Sequence, residues 1–377
     1  MNISFALILA ANLAAATYLG VRVYVLFGAA LPQILHNKFV FALFVFLFTQ
    51  CALIVIRFLP LQVPAWLSYI TYTFTGLYLI GFSVMFMLDT ILLLSRLFHF
   101  HQIVVAYPLD KVYLVVVGLF YLLGLYNTLN THPTNYTLTY AQAGKDFRIV
   151  EITDVHVTNF TRPARLQKLV RLINEQKPDV VIFAGDTIDG AQKPFNDKNV
   201  AEIFRGIEST YGVYGVLGNH EYYGEGINTA EKLLRSSGIV LLVDESVYIP
   251  ELNLSIIGRD DLRSTGFRRK SRKTANELVS KLTKNSLVLV ADHQPQRADE
   301  AMNAGVALQL SGHTHNGQLI PANIVVKFIY EKAYGLLNKE QFNLITSCGY
   351  GTWGPPMRIG SRSEIVVVDI KATNVKP

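Results

Sequence analysis

Five short pieces in the second half of this sequence end in cation-binding residue types. They are Asp154-Val155-His156, Gly185-Asp186, Gly218-Asn219-His220-Glu221, Asp292-His293-Gln294-Pro295 and Gly312-His313-Thr314-His315. Carboxylate, imidazole and amide groups delivered from several strand ends are what a two-metal hydrolytic site requires. In extended chain, residues two apart point to the same side, so Asp154 and His156 can reach one ion together. Asp186 follows an apolar run and a glycine, a position from which one carboxylate can bridge two cations. Asp189 reads as a supporting partner rather than a ligand. Asn219 offers a neutral amide oxygen suited to a hard cation. Its neighbour His220 must point elsewhere, where it could contact a phosphoryl group or protonate a leaving oxygen. His293 follows another apolar run. His313 and His315 alternate beside glycines and can serve two different ions. Singly, each piece has a structural explanation, such as a helix cap or turn for Asp186. Their common context and coherent order argue for one pocket.

The elements that must position these residues are legible as alternating apolar runs and amphipathic stretches. Arg148–Ile152, Val180–Ala184, Tyr214–Leu217, Ser255–Ile257, Leu287–Ala291, Ala307–Ser311, Leu344–Ser347 and Ile365–Ile370 read as strands. Pro163–Gln176, Lys198–Ser209, Asn228–Ser237 and Ser271–Lys284 read as helices. The alternation predicts an α/β layered domain, whose sites form beyond the carboxyl ends of strands. The cation-binding pieces fall at those ends.

The first third has a different character. Residues 1–130 hold five basic and two acidic residues, against 29 and 26 in the remainder. A membrane helix needs about 20 consecutive apolar residues. Four segments qualify: Ile3–Phe27, Phe39–Phe58, Leu67–Leu94 and Val112–Leu129. Arg22 in the first can snorkel to an interface. Asp89 in the third reads as an interfacial or helix-pairing carboxylate. Tyr24, Trp66, Tyr69, Tyr107 and Tyr126 fit an interfacial aromatic belt. No positive segment precedes the first apolar run, which favours an anchor over a cleaved signal. The division expected is a helical transmembrane region at 1–130, a polar linker at 131–146 and the α/β domain at 147–371. Arg22, Lys38, Arg96 and Lys111 flank the first and third loops, which places those loops in the cytoplasm and the α/β domain outside it. The net charge of +6 is shared evenly between the two parts and does not mark a nucleic-acid binder. Cys51 lies in an apolar run and Cys348 near the end of the α/β part, so they are not expected to pair.

From Phe147 to Lys371 the sequence resembles the calcineurin-like metallophosphoesterases. Their motif order, Asp-x-His, Gly-Asp, Gly-Asn-His-Asp/Glu, His and Gly-His-x-His, is complete here. The closing stretch Ser347–Arg358 and the Gly-Gln after the last histidine look like the bacterial membrane-linked branch. That branch often has Gly where this chain has Asn316. The resemblance implies a four-layer α/β/β/α sandwich. It implies that Asp154, His156, Asp186 and His315 hold one metal, and that Asp186, Asn219, His293 and His313 hold the second. Asp186 would bridge, and His220 would assist at the phosphoryl group. Two divalent ions would activate water for attack on phosphorus. The donor set suits Mn, Fe or Zn better than Ca.

The expected protein is therefore a membrane-anchored dimetal phosphoesterase acting on a phosphate ester, lipid-linked or membrane-proximal, in a bacterial cytoplasmic membrane. Two alternatives stand beside it. One is a tethered phosphodiesterase or phosphoprotein phosphatase acting on soluble substrates. The other is a sensor or transport protein with a degraded phosphoesterase domain. The basic run Arg259–Lys273, with Arg268, Arg269 and Lys270 at its centre, could face anionic headgroups, with Phe267 inserting beside it. No feature of the sequence sets an oligomeric state.

Overall fold

The computed structural model describes residues 3–28, 37–47, 63–189, 197–223, 227–268, 271–282 and 285–373. They form two compact units, Met1–Tyr126 with Gly354–Met357, and Asn127–Trp353 with Arg358–Pro377.

The first unit is helical: α1 (Ile3–Phe27), α2 (Lys38–Phe46), α3 (Ala65–Leu97), the short α4 (His101–Val105) and α5 (Leu109–Leu129), whose last turn belongs to the second unit. Among the described residues, three helices are long and apolar enough to cross a membrane: Ala10–Phe27, Ala65–Leu97 and Leu109–Leu129. A helix satisfies its own backbone polar groups, which lipid cannot do. The expected span Phe39–Phe58 lies partly outside the described residues, as do Cys51 and Arg57; its described part is α2. Arg22 has a partner within the helices. It forms an ion pair with Asp89 of α3, and Tyr18 Oη donates to the same carboxylate at 2.6 Å. Either charge alone in an apolar helix is costly, and pairing offsets that cost.

The second unit holds two six-stranded sheets. Its strands are β1 (His132–Tyr140), β2 (Phe147–Ile152), β3 (Val180–Ala184), β4 (Val213–Val216), β5 (Val240–Leu241), β6 (Glu245–Ile249), β7 (Leu254–Gly258), β8 (Leu287–Ala291), β9 (Leu308–Ser311), β10 (Gly335–Lys339), β11 (Phe342–Thr346) and β12 (Glu364–Ala372). The first sheet has the order β1-β12-β2-β3-β4-β5, the second β10-β11-β9-β8-β7-β6. β2 to β5 run parallel, as do β7, β8, β9 and β11. Parallel strands covered on both faces require near-continuous apolar runs, and Val180–Ala184 and Leu287–Ala291 are fully buried throughout.

The helices complete four layers. α6 (Pro163–Glu175), α7 (Asp197–Phe204) and α8 (Ile227–Ser236) cover the outer face of the first sheet. α6 starts with Pro163, whose fixed φ suits a first turn, and buries Leu166, Leu169, Val170 and Ile173 at helical spacing. Then come α9 (Ser264–Arg268), α10 (Ala275–Val279) and α11 (Ala298–Asn303). α10 and α11 cover the outer face of the second sheet with Leu278, Ala298 and Ala301. Thr274 and Glu277 cap α10 reciprocally, which starts that helix four residues later than its sequence pattern indicates. Between the sheets, Ile149, Ile182, Val216, Ile256, Leu289 and Leu310 interleave.

Two segments differ from the sequence expectation. Residues 132–140, read as linker, form β1, paired in parallel along its whole length with β12. An edge strand with one solvated face tolerates the Thr and Asn that made it look like a loop. The apolar stretch after Gln318 forms α12 (Ala322–Ile329), on which no residue is buried.

Leu289 is fully buried in the layer between the sheets. Leu289→Ala should lower unfolding stability by about 2–5 kcal/mol, read by urea denaturation of the detergent-solubilised chain. A loss below about 1 kcal/mol would mean that this layer is not close-packed.

Candidate metal centre

Strand ends of both sheets deliver the predicted residues to one place. β2 continues into Asp154 and His156, β3 into Asp186, β4 into Asn219 and His220, β8 into His293, and β9 into His313 and His315. His156 Nε2 and His315 Nε2 face each other at 3.0 Å, and His315 Nε2 is 3.2 Å from Asp154 Oδ1. Asp186 Oδ2 lies 3.1 Å from His293 Nε2 and 3.8 Å from His156 Nε2. Among the described residues, three overlapping groups bring ligand atoms within 4.8 Å of one another: Asp154, His156 and His315; His156, Asp186 and His220; and Asp186, His293 and His313. Asp186 belongs to two of them.

The donor chemistry fits cations. Asp154 Oδ1 and Asn219 Oδ1 are buried with no hydrogen-bond partner among the described residues. Buried polar atoms are rarely left so. Acceptor atoms converging without donors are what a bound divalent ion would satisfy. Burial would raise the Asp154 and Asp186 carboxyls. The imidazoles of His315 beside Asp154, and of His293 and His220 beside Asp186, outweigh it and hold both below the usual carboxylate range. Burial lowers His293, but the Asp186 carboxylate more than compensates and raises it well above the ordinary imidazole value. Burial and the neighbouring His293 push His313 down to about 4, and burial depresses His315.

The backbone that presents these groups is unusual. Asp154, His156, Asp186, His313 and His315 all have positive φ, between 48° and 69°. Left-handed backbone bends the chain where each strand end leaves the sheet. Asn316 shares this conformation at φ 48°. Asn is one of the few non-glycine residues that visits it readily. Gly349 (φ 81°) lies against Asp154, where a Cβ would come within 2.6 Å of the Asp154 Cβ.

Three supporting residues had no assigned role in the sequence reading. Glu221 is fully buried and accepts from the amides of Asp186 (3.1 Å), Gly218 (2.8 Å) and Ile188 (2.9 Å). Burial and nearby Asp186 push it up to about 7, against those amides. Thr153 Oγ1 donates to Asp154 Oδ2 at 2.9 Å. Arg358, fully buried, donates to the carbonyls of Cys348 (2.7 Å), Gly349 (3.1 Å) and Gly351, and sits 3.3 Å from His315 Nδ1. Asp189 Oδ1 is 3.2 Å from His220 Nδ1, outside the ligand groups. His220 N donates to Asp186 Oδ1 at 2.8 Å, and its ring meets those of His156, Tyr223 and Trp353 edge-on.

Asp292 turns away from its neighbour His293 and is bound by Arg259 and Arg272. This removes part of the basic run from the surface. Arg259 also pairs with Glu300 at 2.9 Å, and Lys273 binds the Asp244 carbonyl at 3.0 Å. A basic run in sequence is thus divided, with Arg259 and Arg272 neutralising the buried Asp292. The side chains of residues 267–270, including Arg268, Arg269 and Lys270, lie outside the described residues. Cys348 is free and buried, its thiol donating to the Arg362 carbonyl.

Residues 147–317 match the family described as calcineurin-like phosphoesterase. An uncharacterized metallophosphoesterase of Aquifex aeolicus is 34% identical over 259 residues, 66% of this chain and 97% of that one. An uncharacterized metallophosphoesterase of Campylobacter jejuni is 35% identical over 229 residues, 60% of each chain, so this chain spans less than two thirds of that relative. A Danio rerio protein described as a transmembrane protein with metallophosphoesterase domain is 28% identical over 330 residues, 82% of this chain and 74% of that one. The near-complete span of the Aquifex relative and the matched motif region carry the assignment: this chain belongs to the calcineurin-like phosphoesterase family, as a metallophosphoesterase domain joined to apolar membrane helices.

Proposed function

We propose that the protein is a membrane-anchored dimetal phosphoesterase that hydrolyses a lipid-linked or membrane-proximal phosphate ester. The observation that supports this most is the meeting of overlapping carboxylate–imidazole groups around Asp186, with buried acceptor atoms unpartnered. Residues 1–130 would anchor the chain and residues 147–371 would carry the chemistry. With four spans, the positive residues of the first and third loops put the catalytic domain outside a bacterial cytoplasmic membrane. Arg268, Arg269 and Lys270 remain proposed headgroup contacts.

Asp154, His156, Asp186 and His315 would hold one ion, and Asp186, Asn219, His293 and His313 the other. The mixed donors suit Mn, Fe or Zn. Bound there, a pair of divalent cations supplies a lowered pKa for water and positive charge against the phosphoryl oxygens. His220 stands beside the cluster with Asp189 at its Nδ1. Asp189 beside Nδ1 would orient the ring, leaving Nε2 to present a proton. As water, having released one proton to solvent, forms the new P–O bond and the ester P–O bond breaks, His220 gives its own proton to the leaving oxygen. Buried Glu221 and Arg358 hold the loops still while charge shifts, so little reorganisation accompanies the reaction.

Chelation should abolish turnover, and Mn, Fe or Zn should restore it. Asp186→Asn should lower kcat/KM by more than about 100-fold and reduce the bound metal measured by elemental analysis. Retained turnover with full metal content would exclude Asp186 as the bridge. His220→Ala should lower kcat by about 10²–10⁴ with metal content unchanged. The loss should be greater for alkyl than for p-nitrophenyl esters, whose leaving group needs no proton; equal losses would remove the acid role. For the side of the membrane, an impermeant thiol reagent should label Glu340→Cys in intact cells of a Cys51→Ser chain, since position 340 is exposed. Labelling only after lysis would put the domain in the cytoplasm.

A further inference from the structure

α12 carries apolar side chains that its own fold does not use. Ile324, Val325, Phe328 and Ile329 are 54%, 53%, 86% and 63% exposed. Spaced i, i+1, i+4 and i+5, they lie along one side of the helix. Soluble monomer surfaces seldom gather such a patch without a use for it. The patch also adjoins the candidate metal centre. The turn His315–Gly317 abuts the first residues of α12 so closely that a Cβ on Gly317 would collide with Ala322 and Asn323. Tyr330, which ends the helix, has its ring 6.1 Å from that of His313. On another side, Trp353 is 53% exposed with its ring 6.2 Å from that of His220. Gln318 exchanges hydrogen bonds with the Trp353 backbone at 2.8 and 3.0 Å, tying the two parts of the rim together.

The chain itself indicates what covers this rim. It carries membrane-spanning helices, and the last of them ends inside the second unit. Arg165 donates to the Thr128 carbonyl at 3.2 Å and Lys168 to the Leu129 carbonyl at 2.6 Å, and β1 begins at His132. Cations on the closing carbonyls of a helix also complement its dipole. Only Asn130 and Thr131 separate the end of this helix from β1. Lys327 lies within α12 and Lys332 just beyond it, cations suited to lipid phosphates beside an apolar face.

We propose that α12 is an interfacial helix that inserts Val325, Phe328 and Ile329 among lipid chains, so that the metal centre takes phosphate esters whose apolar part stays in the bilayer. The substrate half of this statement rests on the phosphoesterase reading; the insertion does not. The test uses the full chain reconstituted in phosphatidylcholine–phosphatidylglycerol vesicles, with a nitroxide attached through Phe328→Cys in a Cys51→Ser background. Phe328 is so exposed that its replacement leaves the core intact. The spin should collide more with oxygen than with a water-soluble nickel complex, whereas a label at Glu340→Cys should show the reverse. Nickel access at position 328 equal to that control would overturn the insertion, and so would dipolar broadening between labels, which marks contact with a second copy. Val325→Ser, Phe328→Ser and Ile329→Ser combined should cut turnover of phosphatidic acid in vesicles at least tenfold while leaving p-nitrophenyl phosphate turnover unchanged. Equal effects on both esters, or none on either, would overturn the substrate half. A wild-type chain that hydrolyses neither ester would sink the phosphoesterase reading instead, and the nitroxide measurement would still decide the helix.

Discussion

The centre depends on one buried carboxylate that touches none of the reacting groups. Glu221 gathers three backbone amides, two from the end of β3 and one from the end of β4. Those two strands pair only along their own length, and nothing in the ladder fixes how their ends continue. The clamp sets where Asp186 emerges relative to Asn219 and His220. Removing it would strand three buried N–H groups, each costing about 1–3 kcal/mol. The same loops carry the side chains that converge, so local backbone satisfaction and ligand placement are a single constraint.

Charge is distributed with the same economy. Around Asp154 and Asp186 the imidazoles offset buried carboxylates, and the depressed Asp186 carboxyl has its counterpart in the raised His293. Farther out, Arg259 and Arg272 close on Asp292, keeping a third acid from joining the ligand groups although it adjoins His293 in sequence. Arg358 plays a comparable part for the glycine loop, binding carbonyls that would otherwise be buried without donors. In the membrane helices, Arg22 and Asp89 solve the same problem in a medium where neither could stand alone.

How much of this was legible before the fold was known follows from physical cause. Asp154, His156, Asp186, Asn219, His293, His313 and His315 are residue types whose chemistry is plain, placed after apolar runs that could only be buried strands. Their convergence could be inferred from position alone. Glu221 was visible, but its work is done on backbone amides, which carry no sequence signature. Arg358 sits in a loop whose contacts arise from tertiary packing. β1 was hidden because an edge strand needs only half the apolar residues of a central one, and Tyr136, Leu138 and Tyr140 were too sparse among Thr and Asn to register. The inward pairing of Arg259 and Arg272 was hidden for the opposite reason: spacing shows that charges are close, not which of them face inward. α12 went unread because its apolar residues have no partner within the fold to set their period.

The left-handed strand ends have a cost that falls outside the chemistry. A non-glycine residue in that conformation sacrifices on the order of 1 kcal/mol. Asp154, His156, Asp186, His313 and His315 all make this sacrifice within one small volume. A glycine at any of these five positions would relieve the backbone and delete the side chain for which the turn was made. Selection for heat resistance alone would therefore count these five among the residues open to replacement, together with left-handed Lys177 and Arg297 outside the centre, and only function would hold them in place.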